Sequence, residues 1–207
     1  MRNSLLFTRS EKKNQGSDAL CRSQNDLYPS DRGHTSFDLR TQINNIYMKP
    51  MRKASRQQDA GWALEVFDRA PYVTVSMCRP DGTPYGLPLS LVRADETTFY
   101  FHCADEGEKL DCLKNNPIVS LSAVSKCTPV FEEDKLNYTE HYRSAVALGR
   151  CEWVEDRAEK IEALRLLCER FLPKHMNHFE DAIARSLDRT TVIKILLTES
   201  PVGKCKQ

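Results

Sequence analysis

The chain reads as a mainly β protein, a small barrel with flanking helices. Three observations carry that reading. Short segments alternate apolar and polar residues with a period of two, turn residues separate them, and helical apolar stripes fall at the ends and in one long insertion. At 207 residues the chain is long enough for one domain with a tail and a substantial buried core.

Residues 1–50 stand apart, polar and aperiodic, with scattered Ser, Asn, Asp and Arg. Such a segment buries too little apolar surface to offset its ordering entropy. It is expected to be a disordered leader without chemistry, at most weakly helical from Leu39 to Tyr47. Met48 and Met51 stand at the boundary, before Arg52 and Lys53, so a true translation start at either methionine is the competing expectation. Residues 51–207 form the folded domain.

From residue 59 the pattern sharpens. Ala63, Val66, Phe67 and Ala70 recur at helical spacing, and Pro71 ends the segment. Residues 72–78 alternate, with Val73, Val75 and Met77 on one face and Thr74, Ser76 and Cys78 on the other. Arg79-Pro80-Asp81-Gly82 is a turn in which Gly82 is free to take positive φ, so a hairpin follows. Its second strand, Tyr85 to Val92, sets Leu87, Leu89 and Leu91 against Pro88, Ser90 and Val92. Ala94-Asp95-Glu96 turns the chain into a third strand, Thr97 to Ala104, completing an antiparallel meander.

A helix from Glu106 to Leu113 is stopped by Asn115-Asn116-Pro117. Strands at 118–125 and 145–154 follow, with Glu132-Glu133-Asp134-Lys135 between them as a solvated loop. The stripe Ala158, Ile161, Leu164, Leu167, Cys168 and Phe171 breaks at Pro173, and a second helix spans Met176 to Leu187. The β-branched run Thr190 to Leu197 closes the barrel.

Composition narrows the function. Thirty Lys and Arg balance 29 Asp and Glu, which argues against nucleic acid or an anionic membrane as partner. No apolar run approaches the roughly 20 residues of a membrane span. Leu5-Leu6-Phe7 is too short for a secretory core, and Glu11 and Asp18 weaken the faint targeting flavour of Arg2, Ser4 and Arg9. A cytoplasmic protein is expected. The eight cysteines include no C-x-x-C pair and no histidine placed to complete a zinc set, so they read as reduced, small apolar residues.

The chemistry concentrates in Phe99-Tyr100-Phe101-His102-Cys103 and the helix start after it. With Phe99, Phe101 and Cys103 toward the core, His102 points to solvent, a bound ligand or a partner subunit. Asp105 and Glu108 form a D-x-x-E capping box, and the free amides of that helix start can hold a phosphate, neutralised by Lys109. Asp105, Glu106, Glu108 and Asp111 oppose an anion there unless they face away. Pro88 interrupts a ladder, marking either an edge strand or a backbone that faces a ligand, and Ser90 offers a hydroxyl on the same side. His141, His175 and His178 lack partner spacing, and no P-loop, G-x-G-x-x-G, G-x-S-x-G or H-E-x-x-H occurs.

In order, Tyr85-Gly86-Leu87-Pro88-Leu89, Tyr100-Phe101-His102-Cys103-Ala104, Gly107-Glu108-Lys109-Leu110-Asp111, Asn115-Asn116-Pro117, Tyr142-Arg143-Ser144-Ala145-Val146 with Gly149, and Val154-Glu155-Asp156 resemble the pyridoxamine 5'-phosphate oxidase-like flavoproteins, and within them the nitroimidazole-resistance group. The likeness covers residues 51–205. It implies a six-stranded antiparallel split β-barrel that dimerises with FMN at the subunit interface. By position, Lys109 and the backbone at Gly107 would contact the phosphate, and Leu87, Pro88, Leu89 and Ser90 would lie along the flavin ring. His102 would sit beside the flavin as the catalytic candidate, and Ser122 would reach the phosphate or ribityl chain. Gly107 and Glu108 stand where the oxidases carry further phosphate ligands, and their C-terminal arginine pattern is not evident, which argues against vitamin oxidase activity. The resemblance implies an FMN-dependent reductase of a small aromatic or nitro compound. The competing classes are a flavin- or haem-holding carrier, sensor or store, and a dimer whose groove binds an unrelated ligand.

Overall fold

A computed structural model describes residues 48–207. Residues 1–47 of the expected leader, with the weak helix at 39–47 and Cys21, lie outside the described residues. The described part is a mainly antiparallel β structure with four flanking α-helices and nine strands, where six strands were expected.

The chain enters through a two-residue strand, β1 (Gln57–Gln58), and then α1 (Ala60–Arg69). The carboxylate of Asp59 accepts from the Trp62 amide and caps α1, whose inner stripe of Ala63, Leu64, Val66 and Phe67 is buried. β2 (Val73–Cys78) shows the expected alternation, with Val73, Val75 and Met77 buried and Thr74, Ser76 and Cys78 exposed. Gly82 turns the hairpin at φ +84°.

The expected strand from Tyr85 to Val92 is two strands. β3 (Pro84–Leu89) pairs with β2, from Cys78↔Pro84 to Val73↔Leu89. The chain then leaves that ladder, and β4 (Val92–Arg93) pairs with β5 (Thr98–Cys103) at Val92↔Tyr100 and Arg93↔Phe99. One length of chain thus joins both ends of the path β3-β2-β6-β7-β8-β5-β4 and closes it into a barrel with a split at Ser90-Leu91. Pro88 is tolerated because β3 is paired on one side only, so its missing N–H costs no ladder bond across a second neighbour.

After α2 (Glu108–Asn115) come β6 (Ile118–Glu132) and β7 (Asn137–Trp153), a hairpin far longer than the strands expected at 118–125 and 145–154. The Glu132 region is its tip, a 3₁₀ turn at Glu133–Lys135, rather than an open loop. A register shift between Val124 and Lys126 bends the pair. β7 then serves two neighbours, β8 (Thr191–Leu197) along 149–153 and β9 (Val202–Lys206) along 142–146. β9 also pairs β1, and neither of these strands was expected. α3 (Arg157–Phe171) matches the expected stripe, while the next segment is a 3₁₀ turn (Pro173–His178) before a shorter α4 (Phe179–Ser186).

Two apolar cores result. Inside the barrel, Phe67, Val75, Phe99, Phe101, Leu121 and Ile195 pack with α1 and α2 at the ends. Phe67 and Phe99 meet edge to face at 5.5 Å, worth about 0.5–1.5 kcal/mol beyond area burial. Outside, α3 and α4 cover the other face of β5 and β8, where Tyr100, Val192, Leu164 and Phe179 form a second cluster. The outer face of β2, β3 and β6 carries no such helix: Thr74, Pro88 and Ser122 are exposed.

Candidate functional site

The sheet register and the start of α2 set the places of the expected residues. Thr74 pairs with both Pro88 and Ser122, so the three lie in one row on the exposed outer face, with Ser76, Gly86 and Ser120 in the next row. Pro88 has that face, Ser90 follows in the split between β3 and β4, and His102 faces outward from β5 on the same side as Tyr100 and Val92. Extending the β4–β5 register would set Ser90 opposite His102, at the point where the strands part. Leu87 and Leu89 turn the other way and pack against the barrel core, so toward the outer face they present backbone only.

α2 begins two residues later than the expected Glu106, and the capping box does not form. Gly107 is the N-cap, at φ +127° and ψ 159°, a conformation that essentially only glycine takes. Glu108 therefore falls on the first helical turn, where its carboxylate meets Arg79 at 2.5 Å instead of reaching back to Asp105. No side chain caps the first turn of α2. The Leu110 amide donates to the Gly107 carbonyl at 2.9 Å, so the amides of Glu108 and Lys109 and the positive end of the dipole are left to an external acceptor.

Arg79 is a residue that sequence reasoning passed over as part of a turn. Its guanidinium donates to Glu108 and to the carbonyl of Pro84 at 3.1 Å, and lies 4.7 Å from the ring centre of Tyr85. The Glu108 bond and charge hold the guanidinium above its ordinary pKa. This answers part of the objection that carboxylates crowd Lys109: one of them is already neutralised. The signal available was its position, directly ahead of the turn that faces the helix start.

Lys109, half-buried, lies close enough to act on two neighbours. Burial pushes the Cys103 thiol up, and the ammonium of Lys109 acts against that. His102 is exposed on one side, yet desolvation on the other and the Lys109 charge lower its pKa below the ordinary value. Near neutral pH the imidazole is therefore neutral, with one ring N–H to donate. The donor set, uncapped helix amides with an adjacent ammonium, fits a phosphate, and the exposed row of small residues on the outer face fits a flat ring.

The family model for pyridoxamine 5'-phosphate oxidase matches residues 59–203. The chain belongs to this flavin-binding family. Solved structures share its fold. A candidate 5-nitroimidazole antibiotic resistance protein from Bacteroides thetaiotaomicron is 21% identical with a TM-score of 0.59, over 71% of this chain and 84% of that one. The flavocytochrome Anf3 from Azotobacter vinelandii has a TM-score of 0.66 at 21% identity, over 76% and 72% of the two chains. The FAD and heme binding protein from Mycobacterium smegmatis has a TM-score of 0.64 at 21% identity, over 73% and 74%. No curated protein matches the sequence. The family match spans the barrel, α2 and the outer row of Thr74, Pro88 and Ser122. Among the described residues no helix is long and apolar enough to cross a membrane.

Proposed function

We propose that this family member binds FMN on the outer face of its split barrel and reduces a small aromatic or nitro compound, as a homodimer with the cofactor at the subunit interface. One observation supports the reading: the start of α2 is uncapped, and its Lys109 lies close enough to act on the outward-facing His102. Gly107 and Lys109 hold the phosphate, Pro88 and Ser90 support one side of the ring, and Ser122 contributes a hydroxyl from the row across Thr74. When bound, the flavin supplies the redox chemistry. The chain orients it, and neutral His102 holds a proton at Nδ1 or Nε2 for the reduced product. Exposed Val124 continues the outer face onto the long hairpin and gives a second copy an apolar surface to cover.

Colour tests the reading. Protein loaded with FMN and freed of excess is expected to absorb at about 370 and 450 nm, and colourless protein that ignores FMN overturns it. A Soret band assigns haem instead. Oxidation of a reduced nicotinamide that depends on a nitroaromatic compound separates an enzyme from a carrier.

A further inference from the structure

The exposed row of the outer face does not end at Ser122. Ser122 pairs with Val146 on β7, and Val146 pairs with Val202 on β9, so the row runs Pro88, Thr74, Ser122, Val146, Val202 across five strands. Val146 is 40% exposed between Ala145 and Ala147, which are buried at 1% and 0%. An apolar side chain in mid-strand, aimed away from a full core, asks for a cover. The cover present is the segment Met48 to Met51, which with Val146, Val202 and Gln57 lines an open cavity of about 510 Å³. Both carboxylate oxygens of Glu199 accept from the Met48 amide, at 2.9 and 3.1 Å, and pin that segment in place.

The cavity begins one strand from Ser122, a spacing of about 5 Å. Its volume is that of a small-molecule pocket. Two thioethers, a proline ring and two valines make the walls, a lining suited to the face and edge of an aromatic ring. The polar residues of the lining are Gln57 and Lys49. The next row on the same face adds Lys204, paired with both Gln57 and Ser144. The nearby carboxylate, Glu199, is occupied by the Met48 amide. That bond leaves Glu199 charged, so Lys49 and Lys204 against it offer an occupant one net positive charge.

We propose that this cavity is the substrate compartment of the site, and that its occupant is a planar aromatic compound carrying an acidic group. The ring lies between Val146, Val202 and the two methionines, and the acidic group meets Lys49. The inference rests on the flavin reading for its role in catalysis, while the binding itself is a property of the cavity alone.

The test is calorimetric titration of the FMN-loaded full chain with 4-nitrobenzoate and with nitrobenzene. The acid is expected to bind more tightly. Lys49→Gln is expected to weaken the acid about three- to tenfold and leave the neutral ring unchanged. Met51→Trp, which fills the cavity from its wall, is expected to weaken both about tenfold or more. Equal binding of the two compounds to the unaltered chain overturns the proposal, as does unchanged binding of both in both variants. Flavin absorbance is read on the same samples. Its absence overturns the flavin reading separately, since the titration still reports the cavity.

Discussion

The guanidinium of Arg79, at the end of β2, is bonded to the carboxylate of Glu108, the first residue of α2, at 2.5 Å. The contact ties the β2–β3 turn to the helix start and removes a negative charge from beside Lys109. Arg79→Ala is therefore expected to weaken FMN binding several-fold without touching the phosphate, because it frees Glu108 to repel it. Removing Glu108 as well, in Arg79→Ala/Glu108→Ala, is expected to restore most of the loss. Lys109→Ala, which deletes the direct charge, is expected to cost about ten- to a hundredfold. Fluorescence titration of FMN measures all three. A double variant as weak as Arg79→Ala alone contradicts the electrostatic role of the pair.

Gly107 and Gly82 both have positive φ, and they should differ in tolerance. A Cβ at either position meets nothing within 4 Å, so any cost is one of backbone conformation. At φ +127° and ψ 159°, Gly107 occupies a region closed to side chains, and Gly107→Ala is expected to cost about 1–3 kcal/mol. Gly82, at +84°, lies near the left-handed region that asparagine accepts, so Gly82→Asn is expected to be nearly neutral. Urea unfolding of the two variants gives the comparison, and equal costs would refute it.

His102 is expected to titrate below its ordinary value of 6.5, because desolvation and the Lys109 charge both disfavour the imidazolium. Lys109→Gln removes the second cause, so the midpoint should rise toward the ordinary value. NMR titration of the His102 ring in the flavin-free chain reads this without any assay of turnover. If the neutral ring is the working form, turnover of the loaded protein falls as pH drops through that midpoint, and His102→Ala loses the dependence. An unmoved midpoint in Lys109→Gln removes the coupling between the two residues.

Much of this architecture was legible because local pattern and burial agree. The alternation in β2, the aromatic face of β5 and the stripe of α3 each reflect one apolar face against one core. His102 and Lys109 were legible as a pair for the same reason, since strand parity and helix position follow from neighbours in sequence. What escaped depends on distant partners. Nothing local in Tyr85 to Val92 says that its first half pairs β2 and its second half β5. The outer halves of β6 and β7 pair mostly with each other and bury little, so Lys126 to Tyr142 carry no apolar alternation to read. The capping box failed because Gly107 permits a turn that postpones the helix, and the competing partner for Glu108 lies 29 residues away.

The same outward face of β5 that presents His102 holds Tyr100, and there the chain stores pH-dependent stability. Glu159, in the first turn of α3, accepts from Lys194 at 3.0 Å and from the Tyr100 hydroxyl at 2.8 Å, joining the helix to β8 and β5. Those two bonds, Lys194 first, hold the Glu159 carboxyl below its ordinary value of 4.5. A carboxylate whose pKa is lower in the folded chain than in the unfolded one stabilises the fold fully above the unfolded value. That contribution is lost as pH falls from about 4.5 through the lower, folded value. Glu159→Gln keeps the shape and discards the charge. Because the pair is partly exposed, the variant is expected to be less stable by about 1 kcal/mol at pH 7. The gap from the unaltered chain should then narrow as pH drops below 4.5 and close below the folded value, where both carry a neutral group at this position. Urea midpoints at pH 7, 5 and 3.5 follow the gap, and a gap that stays constant across them would show that the carboxylate charge contributes nothing to holding α3 on the barrel.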